Sequence, residues 1–231
     1  MSHDPARLKR VLIELLVITA SILLAFSLEA WWGQRVERTR FHEVVLAVRS
    51  EFAGAQAELA RARAVHESTA GSLEALLALM GPDPEDSAQE ALYPLWAEVR
   101  FTSTDVPRGV LSNLLASGDI STLPNGELRG RLSAWPAARE DHIATEAMYE
   151  DALEQLRALA SERSPLPPGW GSPDYATSFP LRPRAVLTDF AMENALARAL
   201  HLLRIVLNEN QNLSTGVGEI LTDIDAFIAT R

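Results

Sequence analysis

Residues 11–32 read VLIELLVITASILLAFSLEAWW, an apolar run whose only charge up to Leu28 is Glu14 and which closes on Trp31 and Trp32. As an α-helix this stretch is roughly 33 Å long at 1.5 Å per residue, about one hydrocarbon core. Arg7, Lys9 and Arg10 precede it. Basic residues at one end and tryptophans at the other are interfacial anchors. The pattern predicts a short basic tail over 1–10 and a single transmembrane helix over 11–32. A cleaved signal peptide fits less well, because its best site, Leu28-Glu29-Ala30, places leucine where a small residue is needed. A buried core helix usually has an apolar stretch of only about 10–14 residues.

Orientation rests on charge. Arg35, Arg38 and Arg40 follow the run and are partly offset by Glu37. The positive-inside bias is small, and the short basic tail predicts a cytoplasmic amino terminus. The bulk of the chain is then expected in the periplasm, anchored in a bacterial inner membrane. Glu14 lies about one turn inside the bilayer, where a carboxylate is costly. It could bind a proton or ion, bond across a helix interface, or be solvated near Arg10. Ser21 and Ala25 share its face and would allow a second helix to approach closely.

Beyond residue 40 there is enough chain for one domain with a real core. That part carries 15 basic and 27 acidic side chains. Such a balance disfavours nucleic acid as a partner. There is no cysteine, and Lys9 is the only lysine. Thiolate chemistry is therefore excluded, and so is a lysine Schiff base or P-loop in the domain.

From Phe41 mostly apolar residues alternate at spacings of four and three: Phe41, Val45, Val48, Phe52, Ala55, Leu59, Ala62, His66, Thr69, Leu73, Leu76, Met80. This heptad seam predicts a long helix that continues the anchor and stops at Gly81-Pro82. Gly33 and Gly54 are breaks the helix can tolerate, with Gly33 a site for a bend. Short helices are expected over 87–100, kinked or broken at Pro94, and over 107–117, closed by Gly118. Asn125 is a predicted N-cap for a helix over 126–163 that kinks at Pro136. Its buried face would hold Leu128, Leu132, Trp135, Ala138, His142, Thr145, Tyr149, Ala152, Leu156 and Leu159. Six prolines make 164–183 an extended loop. Trp170, Tyr175 and Phe179 suggest that it packs on the domain. A last helix over 187–229 has its seam at Leu196, Leu200, Leu203, Leu207, Asn210, Ser214, Val217, Leu221, Ile224 and Ile228. No alternating strand pattern is read. The expectation is an all-α chain: a transmembrane helix continuing into a bundle of three long helices plus short ones, the domain covering 33–231.

Three polar residues interrupt the seams: His66, His142 and Asn210. If the long helices run up, down and up, counting from their ends places all three at one height, with Thr69, Thr145 and Ser214 beside them. A buried polar layer fixes helix register and could hold water or a small ligand. A metal needs more ligands than two histidines, and Glu146 is the nearest spare carboxylate. No G-x-S-x-G, H-E-x-x-H, Walker A or dinucleotide fingerprint is present, and no carboxylate pair stands out as an acid/base dyad. No catalytic residue, metal site or cofactor is therefore expected.

Two stretches resemble a bacterial membrane-protein family of unknown function. Its members pair an anchor of the pattern E-I-x-L-V-V-I-G-I-L-I-A-L-x-I-N-N-W with a helical domain. Here Glu14-Leu15-Leu16-Val17-Ile18, Leu23-Leu24-Ala25 and Ala30-Trp31-Trp32 match the anchor. Leu115-Ala116-Ser117-Gly118-Asp119-Ile120 and Asn125-Gly126-Glu127-Leu128-Arg129 are similar to the family's S-G-D-L and N-x-E-L-R. Ala20 or Ser21 stands where the family has glycine, and Leu28-Glu29-Ala30 replaces its I-N-N. The resemblance implies an architecture and no activity. The reading is a non-catalytic single-pass protein whose helical bundle is a protein-binding or scaffold module. The expected partners are the lipid bilayer and either further copies of the chain or another membrane or periplasmic protein. The alternatives are a sensor-like domain with a ligand in the polar layer, and a membrane oligomer with Glu14 at its interface or lining a pathway.

Overall fold

The computed structural model describes residues 5–123, 125–165, 167, 174 and 176–229, without the side chains of 5–14, 17, 18, 34, 37 and 38. The described residues form helices and connectors, with no strand. The helices are α1 (Pro5–Leu79), α2 (Asp86–Ala97), α3 (Gly109–Ser117), a 3-10 turn (Asp119–Thr122), α4 (Gly126–Arg163), α5 (Pro183–Leu187) and α6 (Phe190–Ala229). The chain divides into two units, Met1–Val48 and Arg49–Arg231.

The first unit is helical from Pro5. Every side chain from 19 to 33 is exposed, including Ile22, Leu23, Leu24, Phe26, Leu28, Trp31 and Trp32. Two hydroxyls in this stretch bond back onto the helix: Thr19 Oγ1 donates to the Leu15 carbonyl at 2.8 Å and Ser27 Oγ to the Leu23 carbonyl at 2.7 Å. Among the described residues no helix is long and apolar enough to cross a membrane. The expected span at 11–32 is thereby narrowed to a helix with an exposed apolar surface. Residues 11–14, 17 and 18 of the run lie outside the described side chains, as do Arg7, Lys9 and Arg10. Glu14, the expected intramembrane carboxylate, is one of them. The helix continues through Gly33, where a bend was expected.

The second unit is built on three long helices: residues 49–79 of α1, α4 and α6. The α1 seam follows the sequence expectation, with Phe52, Ala55, Leu59, Ala62, His66, Thr69, Leu73 and Leu76 all buried. α6 runs antiparallel to α1. Arg49 pairs with Asp225 at 2.6 Å, Asn210 reaches the Leu59 carbonyl, and Arg204 pairs with Glu74 at 2.8 Å, so the α6 numbers fall as the α1 numbers rise. α6 is also antiparallel to α4: Arg131 meets Glu219 and Asp223, Thr145 meets Glu209, and Arg163 meets Asp189.

α4 therefore runs parallel to α1. The ring of Phe52 lies 5.2 Å from that of Trp135, and that of His66 lies 6.1 Å from that of Tyr149. This corrects the up-down-up expectation. Two parallel neighbours cannot be joined by a short turn, so residues 80–125 must carry the chain back along the bundle. α2 covers one end of the core with Leu92 and Trp96. Residues 99–107 then form a connector without helix, and α3 with its 3-10 turn leads into α4.

The junctions have local causes. Gly118 ends α3 at φ 77°, a left-handed conformation that glycine adopts without a Cβ penalty. Asn125 caps α4, its Oδ1 accepting from the amides of Glu127 at 2.9 Å and Leu128 at 3.3 Å. The two stretches quoted for the family resemblance, around Ser117-Gly118-Asp119 and Asn125 to Arg129, are thus a helix stop and a helix start. α2 and α4 continue through Pro94 and Pro136. The last long helix begins at Phe190, because Pro183 starts a separate short helix, α5, that ends at Leu187. The base of the 164–183 loop is closed by Ser164, whose Oγ accepts from the Arg182 amide at 3.0 Å. Phe179 is exposed and does not pack on the domain; Trp170 and Tyr175 lie outside the described residues.

Candidate functional site

Two of the polar residues that interrupt the seams, His66 and His142, lie against the returning chain, with Thr69 and Glu146 beside them. Thr102, Thr104 and Val106 are β-branched, and Pro107 disfavours helix at Val106. Each favours an extended backbone. An extended strap beside helices has no ladder to satisfy its amides and carbonyls, so side chains must do so.

They do so in sequence order. Thr69 Oγ1 donates to the Arg100 carbonyl at 3.0 Å and lies 3.3 Å from the Arg100 amide. His66 Nε2 lies 2.9 Å from the Thr102 carbonyl, which makes it the protonated nitrogen of the ring. Arg61 reaches Thr102 Oγ1 at 3.2 Å and the Ser103 carbonyl at 3.3 Å. On the α4 side, Glu146 takes the Thr104 amide with both oxygens at 3.1 Å and the Thr104 hydroxyl at 2.5 Å. Glu51 then accepts from the amides of Val110 at 2.6 Å and Leu111 at 3.0 Å, satisfying the start of α3.

His142 stands behind this contact between two carboxylates. Its Nε2 is 3.3 Å from Glu146 Oε1 and 3.4 Å from Thr104 Oγ1, and its Nδ1 is 3.5 Å from Glu209 Oε2. Glu209 also accepts from Thr145 Oγ1 at 3.1 Å. Burial pushes the Glu146 carboxyl up, but the bonds from His142 and Thr104 outweigh it and hold the group below the ordinary carboxylate range. Burial pushes His66 below the ordinary imidazole range. The Thr102 carbonyl and the Glu146 charge oppose the shift, while His142 and Arg61 reinforce it. Tyr149, whose hydroxyl is buried without a partner, is pushed far up by burial.

His66 and His142 therefore share one environment, the strap between α1 and α4. Asn210 is fully buried but serves another purpose. Its Nδ2 donates to the Leu59 carbonyl at 3.2 Å, tying α6 to α1, and its Oδ1 has no hydrogen-bond partner. Thr69 belongs to the strap contacts, Thr145 to Glu209, and Ser214 is half-buried. Glu146 and Glu209 complete the cluster. Glu146 stands at i+4 from His142, one helical face. Among the described residues no group of three or more His, Cys, Asp or Glu is arranged to hold a metal ion.

A second feature adjoins this cluster at Glu209. A groove of about 380 Å³ follows the α4–α6 seam, between Trp135 and Ala138 on one wall and Leu213 and Gly216 on the other. Asp141 and Glu209 stand at one end of it, Arg131 and Glu219 at the other.

No family model, no curated protein and no solved structure matches this chain.

Proposed function

We propose that the chain is a single-pass membrane protein whose helical domain is a non-catalytic binding or scaffold module, displayed on the periplasmic side of a bacterial inner membrane. The observation that carries this reading is the unbroken exposure of residues 19–33. Seven large apolar side chains in that stretch are uncovered, a surface that needs lipid or another chain to shield it. The inward bonds of Thr19 and Ser27 support lipid, since hydroxyls that bond their own helix need no water.

The module reading is supported by how the polar cluster is used. His66, Glu146 and Thr69 hold backbone groups of the strap, and Glu51 holds the start of α3, a structural employment for the groups best suited to acid/base work.

Membrane fractionation tests the anchor. The full chain should stay with membranes through an alkaline carbonate wash, and a chain lacking residues 1–40 should not. Release of the full chain by that wash would overturn the anchor. Orientation is tested by reporters fused after Arg231. A reporter that works only after export should be active, and activity of a cytoplasm-only reporter there would reverse the assignment.

A further inference from the structure

We infer that the α1 face from Trp32 to Glu43 is a binding site for the phosphate of an anionic phospholipid headgroup. The inference rests on the reading of residues 11–32 as a membrane anchor and names the lipid selected at its carboxyl-terminal end. Trp32, Arg35, Val36, Thr39, Arg40 and Glu43 line an open groove of about 350 Å³. All six belong to α1, at the spacings of three and four that place residues on one helical face.

The position suits a headgroup. Residues 19–33 expose their large apolar side chains and end beyond the tryptophan pair. Interfacial tryptophans settle at headgroup level. At 1.5 Å per residue Arg35 lies about 4.5 Å beyond Trp32 along the helix, and Arg40 about 12 Å beyond it. The headgroup layer is roughly 5–8 Å deep on each side of the bilayer. Helical side chains lean back towards the amino terminus, and an arginine is long enough to reach that layer from Arg40. The acyl chains of the bound lipid would lie along residues 19–33, an apolar surface that meets the groove at Trp32.

Charge and geometry select the ligand. Residues 33–40 hold three arginines and one glutamate, whereas the chain beyond carries 15 basic and 27 acidic side chains. The Arg35 guanidinium lies 5.5 Å from the centre of the Trp31 ring. This cation–π contact holds one guanidinium beside an interfacial tryptophan without using its hydrogen-bond donors. Among the described residues neither Arg35 nor Arg40 is paired with a carboxylate, whereas Arg49, Arg63 and Arg131 are. Two planar forks are left open, and such forks match phosphate oxygens two at a time. Thr39 donates its hydroxyl to the Arg35 carbonyl at 3.1 Å, which leaves donation to the guanidiniums and the Trp32 indole. Glu43 is the one carboxylate lining the groove, and the two guanidiniums outnumber it. A headgroup with a net negative charge neutralises that excess, and a zwitterionic one does not.

The test uses the full chain in a non-ionic detergent, with lipid added to the micelles and bound lipid counted by native mass spectrometry. Phosphatidylglycerol should bind at least about fivefold more tightly than phosphatidylcholine, which has the same phosphate but a compensating ammonium. Arg35→Gln combined with Arg40→Gln should remove that preference. Val36→Glu should remove it too, by adding a carboxylate beside the guanidiniums. Arg108→Gln, at an exposed arginine of the helical domain, should leave it intact and controls for net charge. All the substituted side chains are exposed, so the core does not depend on them. Equal binding of the two lipids, a preference that survives the double substitution, or one lost equally in Arg108→Gln would overturn the inference. So would displacement of phosphatidylglycerol by about 10 mM inorganic phosphate but not by chloride of equal ionic strength, the mark of a site for the free ion. If carbonate releases the chain from membranes while the lipid preference holds, the anchor falls and the site stands. If the chain resists carbonate but binds both lipids alike, the site falls and the anchor stands.

Discussion

The rings of Phe52 on α1 and Trp135 on α4 meet at 5.2 Å, and the sequence interval from Phe52 to His66 equals that from Trp135 to Tyr149, the next ring pair along the same two helices. Parallel helices in constant register are the consequence. So is a chain return that must be threaded along the bundle, and the buried polar residues are what hold that return in place.

Trp135 anchors this register, buried against Phe52 and forming the floor of the α4–α6 groove. Trp135→Ala removes a large buried ring and leaves a cavity. The expected loss is about 3–5 kcal/mol of stability, read as a lower urea midpoint for unfolding. An unchanged midpoint would mean that the pair does not fix the register.

Glu146 should matter to the strap more than to the helix that bears it. Its two oxygens hold the Thr104 amide and hydroxyl. Glu146→Gln presents one amide nitrogen, a donor, to groups that need acceptors, and the expected cost is about 1–3 kcal/mol. Hydrogen exchange gives the sharper measurement. The Thr104 amide should exchange slowly in the parent and distinctly faster in the variant, with amides in the middle of α6 changing much less. Uniform acceleration would point to global destabilisation instead.

Most of the helical architecture was legible in the sequence because the long helices are amphipathic and their stops are chemically marked. Asn125, Gly118 and Gly81-Pro82 delimit elements close to where they were expected. The α1 seam was read correctly from Phe52 to Leu76. In α6 the seam slips by one residue in alternate turns. Leu203, Asn210, Val217 and Ile224 are buried as expected, but their companions are Val206, Leu213 and Ile220 in place of Leu207, Ser214 and Leu221. Both sets satisfy a four-three spacing, and only the neighbours decide between them. The strap was missed although it left a trace. Thr104 and Val106 are buried while Ser103, Asp105 and Pro107 are exposed, the alternation of an extended chain. It spans too few residues to stand out beside helical periodicity, and it pairs with side chains, not with a strand. The direction of α4 had no signal in the sequence, because helix patterns are blind to which way a neighbour runs. Both histidines are polar breaks in apolar seams, but the partner of His66 is the backbone of the strap, at Thr102, and the neighbours of His142 are the side chains of Glu146, Glu209 and Thr104.

The phase of α6 gives a paired comparison. Leu203 is fully buried and Leu221 only half-buried. Leu203→Ala should cost about 2–5 kcal/mol, and Leu221→Ala clearly less, since part of its side chain is already in water. Thermal midpoints of the two variants settle the order. A larger loss for Leu221→Ala would return the seam to the phase expected from sequence.

Acid sensitivity should originate at His66. Its folded-state pKa lies below the ordinary 6.5, chiefly because the ring is buried. Above about pH 6.5 the ring is neutral folded and unfolded, and this group adds no pH dependence. As pH falls below that value the unfolded chain takes up a proton that the folded ring resists. Stability then declines by at most about 1.4 kcal/mol per pH unit, until the folded pKa is reached. Glu146 acts in a lower window. Its folded pKa is held below 4.5, so its contribution is intact above that pH and is lost as pH falls through the folded value. His66→Gln separates the two, because the glutamine amide can still donate to the Thr102 carbonyl but does not titrate. Urea midpoints measured from pH 8 to pH 4 should decline below about 6.5 in the parent. In His66→Gln that decline should be reduced, while the fall at the acidic end remains. A parent curve that is flat between pH 7 and pH 5 would show that the ring is not held neutral by burial.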